Sequence, residues 1–160
     1  MSDYRVIRSV AGGWSGVEPA RYKDEGEGSG CFLGATRHTL LGATSDGPAD
    51  GLNFEVRYFE LEPGGYSSLE WHEHPHAVMI LKGRGTVRLA DSTEPVGPFD
   101  IVYVAPGEVH RLSADRAETL GFLCIVDRER DRPVAVPEEE GAGKAAREDA
   151  IEESAAEALP

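Results

Sequence analysis

The chain has 160 residues, enough for one domain that buries its own core without disulfides. Its formal net charge of −13 argues against nucleic acids and anionic membrane surfaces as partners, because both are bound through cations. There is no apolar run of the roughly 18 residues a membrane-spanning helix needs, the first residues MSDYRVIRSVAGGW lack the apolar stretch of a secretion signal, and Cys31 and Cys124 have no metal-like spacing, so a cytoplasmic protein with reduced thiols is expected.

In chain order, residues 1–52 mix short apolar runs with the turn signals AGG, GEGSG and SDGPADG, and read as strands and loops packing on the main body. His38, in the strand-like TRHTLLG, reads as structural. Residues 53–127 are denser. FEVRYFELE, HAVMILKG, RGTVRLA, DIVYVAP and LGFLCIVD are rich in β-branched and aromatic residues, and EPGGYSS, KGRG, ADSTEPVGP and APGE separate them at short intervals. That rhythm predicts an antiparallel sandwich or barrel, with neither βαβ alternation nor internal repeat. Residues 128–160 form an acidic tail. Its segment 138–160 has eight acids against Lys144 and Arg147, with Ile151 and Leu159 as the only large apolar residues, so it is expected to be helical or disordered outside the core.

Alternation groups side chains by face. Glu55, Arg57, Phe59 and Leu61 share one face, Ile101 and Tyr103 another, and Phe122, Cys124 and Val126 a third. An inward Arg57 needs a carboxylate, such as Glu70, or an anionic substrate; an outward one is an ordinary surface charge.

EWHEHPHAVMILKG, residues 70–83, holds three of the five histidines. One strand offers at most two adjacent same-face positions to a single ion, and the one residue between His74 and His76 cannot make a hairpin. The pattern works if Glu70 and His72 share a strand face, residues 73–75 form the turn of a hairpin, and His76 opens its second strand. Those three then converge and His74 sits at the tip. His74 can be an exposed turn residue, a proton carrier beside the site, or a ligand displacing Glu70.

At this point the sequence resembles the cupin superfamily, in particular its small single-domain metal-binding bacterial and archaeal members. Gly64, five residues, Glu70-Trp71-His72, three residues, His76, six residues and Gly83 keep the spacing of the first cupin motif, with Glu70 in a histidine place and His76 in the glutamate place. VGPFDIVYVAPGEVHRL resembles the second motif through Gly107 and His110, with Phe99 where glycine is common and Ala105 where proline is usual. The resemblance implies an all-β double-stranded β-helix, the cupin jelly-roll barrel. It also implies one divalent transition metal held by Glu70, His72, His76 and His110. A mixed nitrogen and oxygen set suits Mn, Fe, Co, Ni, Cu or Zn better than Mg or Ca, and leaves two positions open on a six-coordinate ion.

Phe122 and Cys124, with Arg57 and Phe59, become candidates for the substrate pocket wall, and Glu70, His74 and Tyr103 for acid–base chemistry. The function implied is an oxidoreductase of dioxygenase type, quercetinase-like, acting on a small oxygen-rich molecule. The alternatives are a metal-dependent isomerase, lyase or decarboxylase, or a ligand- or metal-binding module without turnover. A homodimer is the implied assembly.

Overall fold

The structure, a computed structural model, describes residues 6–23, 30–42 and 51–137. The acidic segment 138–160 therefore lies outside the described residues. Among those described, all regular structure is strand: β1 Ser9–Val10, β2 Gly13–Trp14, β3 Ala20–Arg21, β4 Leu33–Leu41, β5 Phe54–Tyr66, β6 Glu70–Trp71, β7 His76–Lys82, β8 Gly85–Leu89, β9 Ser92–Val96, β10 Ile101–Val104, β11 His110–Ala114, β12 Leu120–Asp127 and β13 Val134–Ala135. No described helix is long and apolar enough to cross a membrane.

Every pairing is antiparallel. The main sheet runs β10-β7-β12-β5-β11-β6-β13, with β4 also on β5, β3 on β4, β8 on β11 and β9 on β8. β5, at 13 residues, is the longest strand and pairs with three others, β4, β12 and β11, so it curls from one wall of the barrel to the next. The bend before His76 is not a hairpin. β6 pairs with β11 and β13, whereas β7 pairs with β10 and β12. The chain crosses there from one wall to another, and this crossing brings His72 and His76 together.

Alternation sorts the side chains as period 2 requires. Val78 and Ile80 of β7, Val102 and Val104 of β10, and Leu120, Phe122, Cys124 and Val126 of β12 enter one core with Leu61 of β5. Burying each large aliphatic side chain contributes about 1.5–3 kcal/mol. A second apolar cluster, Leu69, Trp71 and Val109 with Val134 and Val136, pins residues 134–136 against β6. The segment 128–137, grouped with the tail on sequence, thus lies on the barrel.

Gly83 turns β7 into β8 at φ +71°, and a Cβ there would collide with the Thr119 carbonyl oxygen, so only glycine fits. Phe99 occupies the glycine place of the second motif, has φ +74° and keeps its ring 75% exposed. Its N–H donates to the Ile80 carbonyl at 2.7 Å, and Asp100 accepts from the Gly97 N–H at 2.8 Å, which holds the strained turn.

Candidate metal centre

His72 follows β6, His76 opens β7 and His110 opens β11, so three separate points of the barrel each deliver one imidazole. Their ring centroids form a nearly equilateral triangle with sides of 4.8, 4.9 and 5.0 Å. One ring nitrogen from each lies within 4.8 Å of the others.

The Nδ1 atoms are all engaged. His72 Nδ1 donates to the His74 carbonyl at 2.7 Å and His110 Nδ1 to the Glu108 carbonyl at 2.8 Å, while His76 Nδ1 meets Cys124 Sγ at 3.0 Å. A carbonyl accepts only from N–H, so the bare lone pairs of His72 and His110 are on Nε2. His76 Nε2 is buried with no hydrogen-bond partner. Burial and then the neighbouring imidazoles push the His72 pKa down to about 4 and that of His76 to about 2. Burial likewise lowers His110. All three are therefore neutral at pH 7, the form that binds a metal. Convergent neutral imidazoles around an orphaned buried nitrogen fit a divalent transition metal.

Glu70 lies beside this triad, paired in register with His110 and lining the same cavity. Its Oε2 is taken by the Lys23 ammonium and by the Ser68 hydroxyl, which donates at 2.5 Å. Tyr22 hydroxyl contacts Ser68 Oγ at 3.2 Å, and burial followed by the Glu70 charge raises the phenol well above its usual range. His74 is neither at an exposed tip nor in the triad. It stacks on His72, centroids 3.8 Å apart at 8°, and its Nδ1 bonds Asp131 Oδ1 at 2.6 Å. Asp131 also accepts the backbone N–H groups of Glu73 and His74 at 2.8 and 3.0 Å. Burial alone would raise the Asp131 carboxyl, but these hydrogen bonds outweigh it and hold the pKa below the usual value.

The cavity around these groups is about 310 Å³. Arg57, Phe59, Phe122 and Cys124 all line it. Phe59 and Phe122 stack at 5.5 Å, and Arg57 Nη2 donates to Cys124 Sγ at 3.3 Å. The carboxylate near Arg57 is Glu55, at 3.9 Å, not Glu70. Tyr103 does not line the cavity. It shares a face with Ile101 as expected, but that face points outward and leaves Tyr103 65% exposed, while Val102 and Val104 point inward. His38 is buried against Tyr58, ring centroids 5.8 Å apart, as a structural residue.

Lys23, Ser68, Arg37, Arg130 and Asp131 are not singled out by the sequence. Lys23, Arg37, Arg130 and Asp131 reach the cavity from segments outside both motifs, so no local spacing announces them, and Ser68 supports Glu70 from two residues away. The only available signal was the cost of a buried Glu70, which demands a cation from somewhere.

The cupin domain family matches residues 57–126, which span β5 to β12 and carry all three triad histidines. The chain is 44% identical over 120 residues to 1-methylthio-D-xylulose 5-phosphate methylsulfurylase of Rhodospirillum rubrum, covering 75% of this chain and 72% of that protein. Among solved structures, a cupin-2 domain protein from the same organism is 40% identical with a TM-score of 0.67, over 87% of this chain and 82% of that one. The polyketide cyclase RemF from Streptomyces resistomycificus is 25% identical with a TM-score of 0.67, over 86% and 88%. Fold, buried histidine triad and relatives together make the chain a member of the cupin family, a small barrel of the bacterial type.

Proposed function

We propose that this cupin is a metal-dependent enzyme acting on a small, oxygen-rich sugar phosphate, of the kind named for its methylsulfurylase relative. The observation that carries the reading is the orphaned, buried Nε2 of His76 between two other imidazoles whose Nδ1 atoms are already donated to carbonyls. His72, His76 and His110 would hold one divalent transition metal (Mn, Fe, Co, Ni, Cu or Zn). When bound, such an ion supplies Lewis acidity toward a substrate oxygen.

The chain's own residues do the rest. Both contacts to Glu70 fall on Oε2, so Oε1 is left to join the metal as a fourth ligand or to take a proton from substrate. His74, clamped by Asp131, fixes the plane of His72 and closes one side of the cavity, and it is the second candidate for proton transfer. The Phe59 and Phe122 rings exclude water from the cavity wall.

The test begins with metal analysis of protein purified without added metal. The loaded protein is then given 1-methylthio-D-xylulose 5-phosphate in thiol-containing buffer, with loss of the methylthio group followed by mass spectrometry and dissolved oxygen by electrode. Turnover without oxygen uptake supports oxygen-independent chemistry, with a thiol-derived mixed disulfide marking reductive loss of the methylthio group and its absence marking non-redox chemistry, and turnover with stoichiometric uptake supports the dioxygenase type. Full metal loading with no turnover of this or related sugar phosphates would leave a binding module.

A further inference from the structure

The cavity wall opposite in chemistry to the histidines is cationic, in a chain whose acids outnumber its Lys and Arg residues by 29 to 16. Six cationic side chains line the cavity (Lys23, Arg37, Arg57, Arg128, Arg130 and Arg132) against three acidic ones. The acids are already engaged. Glu70 holds Lys23, Glu55 accepts from Arg130 Nη2 at 2.8 Å, and Asp131 holds His74.

Two guanidinium groups are left with buried donors and no acceptor. Arg37 Nε and Arg57 Nε are both inaccessible to solvent and make no hydrogen bond. No ion pair reaches Arg37 among the described residues, and Arg57 Nε has only the 3.9 Å approach of Glu55, a carboxylate shared with Arg130. The two arginines are neighbours by register. Arg37 of β4 stands opposite Phe59, and Thr39 stands opposite Arg57. Residues directly opposite share a face, so Arg37 and Arg57 are diagonal partners on the inner face, and diagonal neighbours lie about 7–8 Å apart, within reach of long side chains. Arg57 lies over the Phe59 ring, 5.3 Å from its centroid, which sets the plane of the guanidinium. Two like charges held side by side with unpaired donors are costly to bury, and a single dianionic group between them removes both costs.

We infer that Arg37 and Arg57 form the anchor for a dianionic oxyanion, a phosphate monoester on the substrate, with Arg128 and Arg132 screening the entrance. This rests on the sugar-phosphate reading above and adds the place where the phosphate sits. Planar forked donors suit phosphate oxygens, and the position divides the cavity into an imidazole end for the reacting oxygens and a guanidinium end for the anion.

The probe is inorganic phosphate, titrated calorimetrically into metal-loaded protein. Wild-type protein binds it, and Arg37→Gln and Arg57→Gln each raise Kd about tenfold or more, the weight of one charge-assisted hydrogen bond. Arg37→Lys recovers part of the loss. Arg84→Gln, exposed and outside the cavity, changes nothing. Because Arg57 also touches Cys124, Arg37→Gln is the deciding variant should Arg57→Gln fold poorly. Equal phosphate affinity in wild type and Arg37→Gln, no binding by wild type, or binding that vanishes with the metal in His76→Ala overturns the anchor. Metal content separates the two readings. Arginine-dependent phosphate binding by a protein that retains no metal would keep the anion site and remove the proposed enzyme, whereas a metal-loaded protein that turns over substrate but ignores Arg37→Gln would do the reverse.

Discussion

The two ends of the cavity solve opposite problems. The histidine end is built from groups that burial makes neutral, so they need no counter-ions and present bare lone pairs to one another. The arginine end is built from groups that stay charged, so its members must be paired within the protein or by a ligand. The first end comes from two short stretches, residues 72–76 and His110. The second is gathered from β4, β5 and the segment after β12. A neutral site can be specified locally; a charged one needs partners from across the chain.

Four measurements break or sharpen this contrast. The largest effect is expected from His76→Ala or His110→Ala. Losing one of the three proposed ligands outright should cost more than the roughly 10–100-fold typical of a ligand's supporting partners, read as metal content after dialysis, while the arginine end stays intact. Next comes acid. The triad histidines have folded pKa values below the ordinary 6.5, so the unfolded chain binds more protons as pH falls below about 6.5. The melting temperature of metal-free protein should therefore fall steadily from about pH 7 toward about pH 4. An unchanged melting temperature would mean that the imidazoles are not buried neutral.

Third, Asp131→Asn should loosen the turn at residues 73–74 and cost about 1 kcal/mol at neutral pH, measured by urea denaturation. Asp131 has a lowered folded pKa, so its contribution is complete above the unfolded carboxyl value and is lost as pH falls through the folded one. The gap between wild type and Asp131→Asn should accordingly close in acid. The smallest effect touches neither end. Phe99→Gly removes a left-handed non-glycine residue whose ring is mostly exposed, and should stabilise the protein by about 1 kcal/mol, a rise of a few degrees in Tm, with metal and phosphate binding unchanged.

The barrel and the triad histidines were legible because strand alternation and motif spacing are local quantities. The strand runs carried the period-2 pattern, and His72, His76 and His110 were fixed by their distances from Gly83 and Gly107. What was not legible depends on pairing between distant segments. The bend at 73–75 reads as a hairpin until β6 is seen to pair with β11 and β13. Tyr103 illustrates a different gap: alternation shows that it shares a face with Ile101 but not whether that face is inside, which only the packing of Val102 and Val104 decides. The occupation of Glu70 Oε2 by Lys23 joins positions 47 residues apart, and no pattern within either segment implies it.

The clasp of Asp131 on the turn that carries His74 also dictates an order of assembly. On a ribosome, both histidine motifs emerge well before residues 130–136, which supply that clasp and the β13 patch on Trp71. A nascent barrel ending at residue 127 would possess both motifs complete yet lack the strap that holds one histidine against another. The wall that His74 contributes to the cavity is thereby set only once residues 130–136 have docked, so the barrel is finished by a segment that lies outside both histidine motifs.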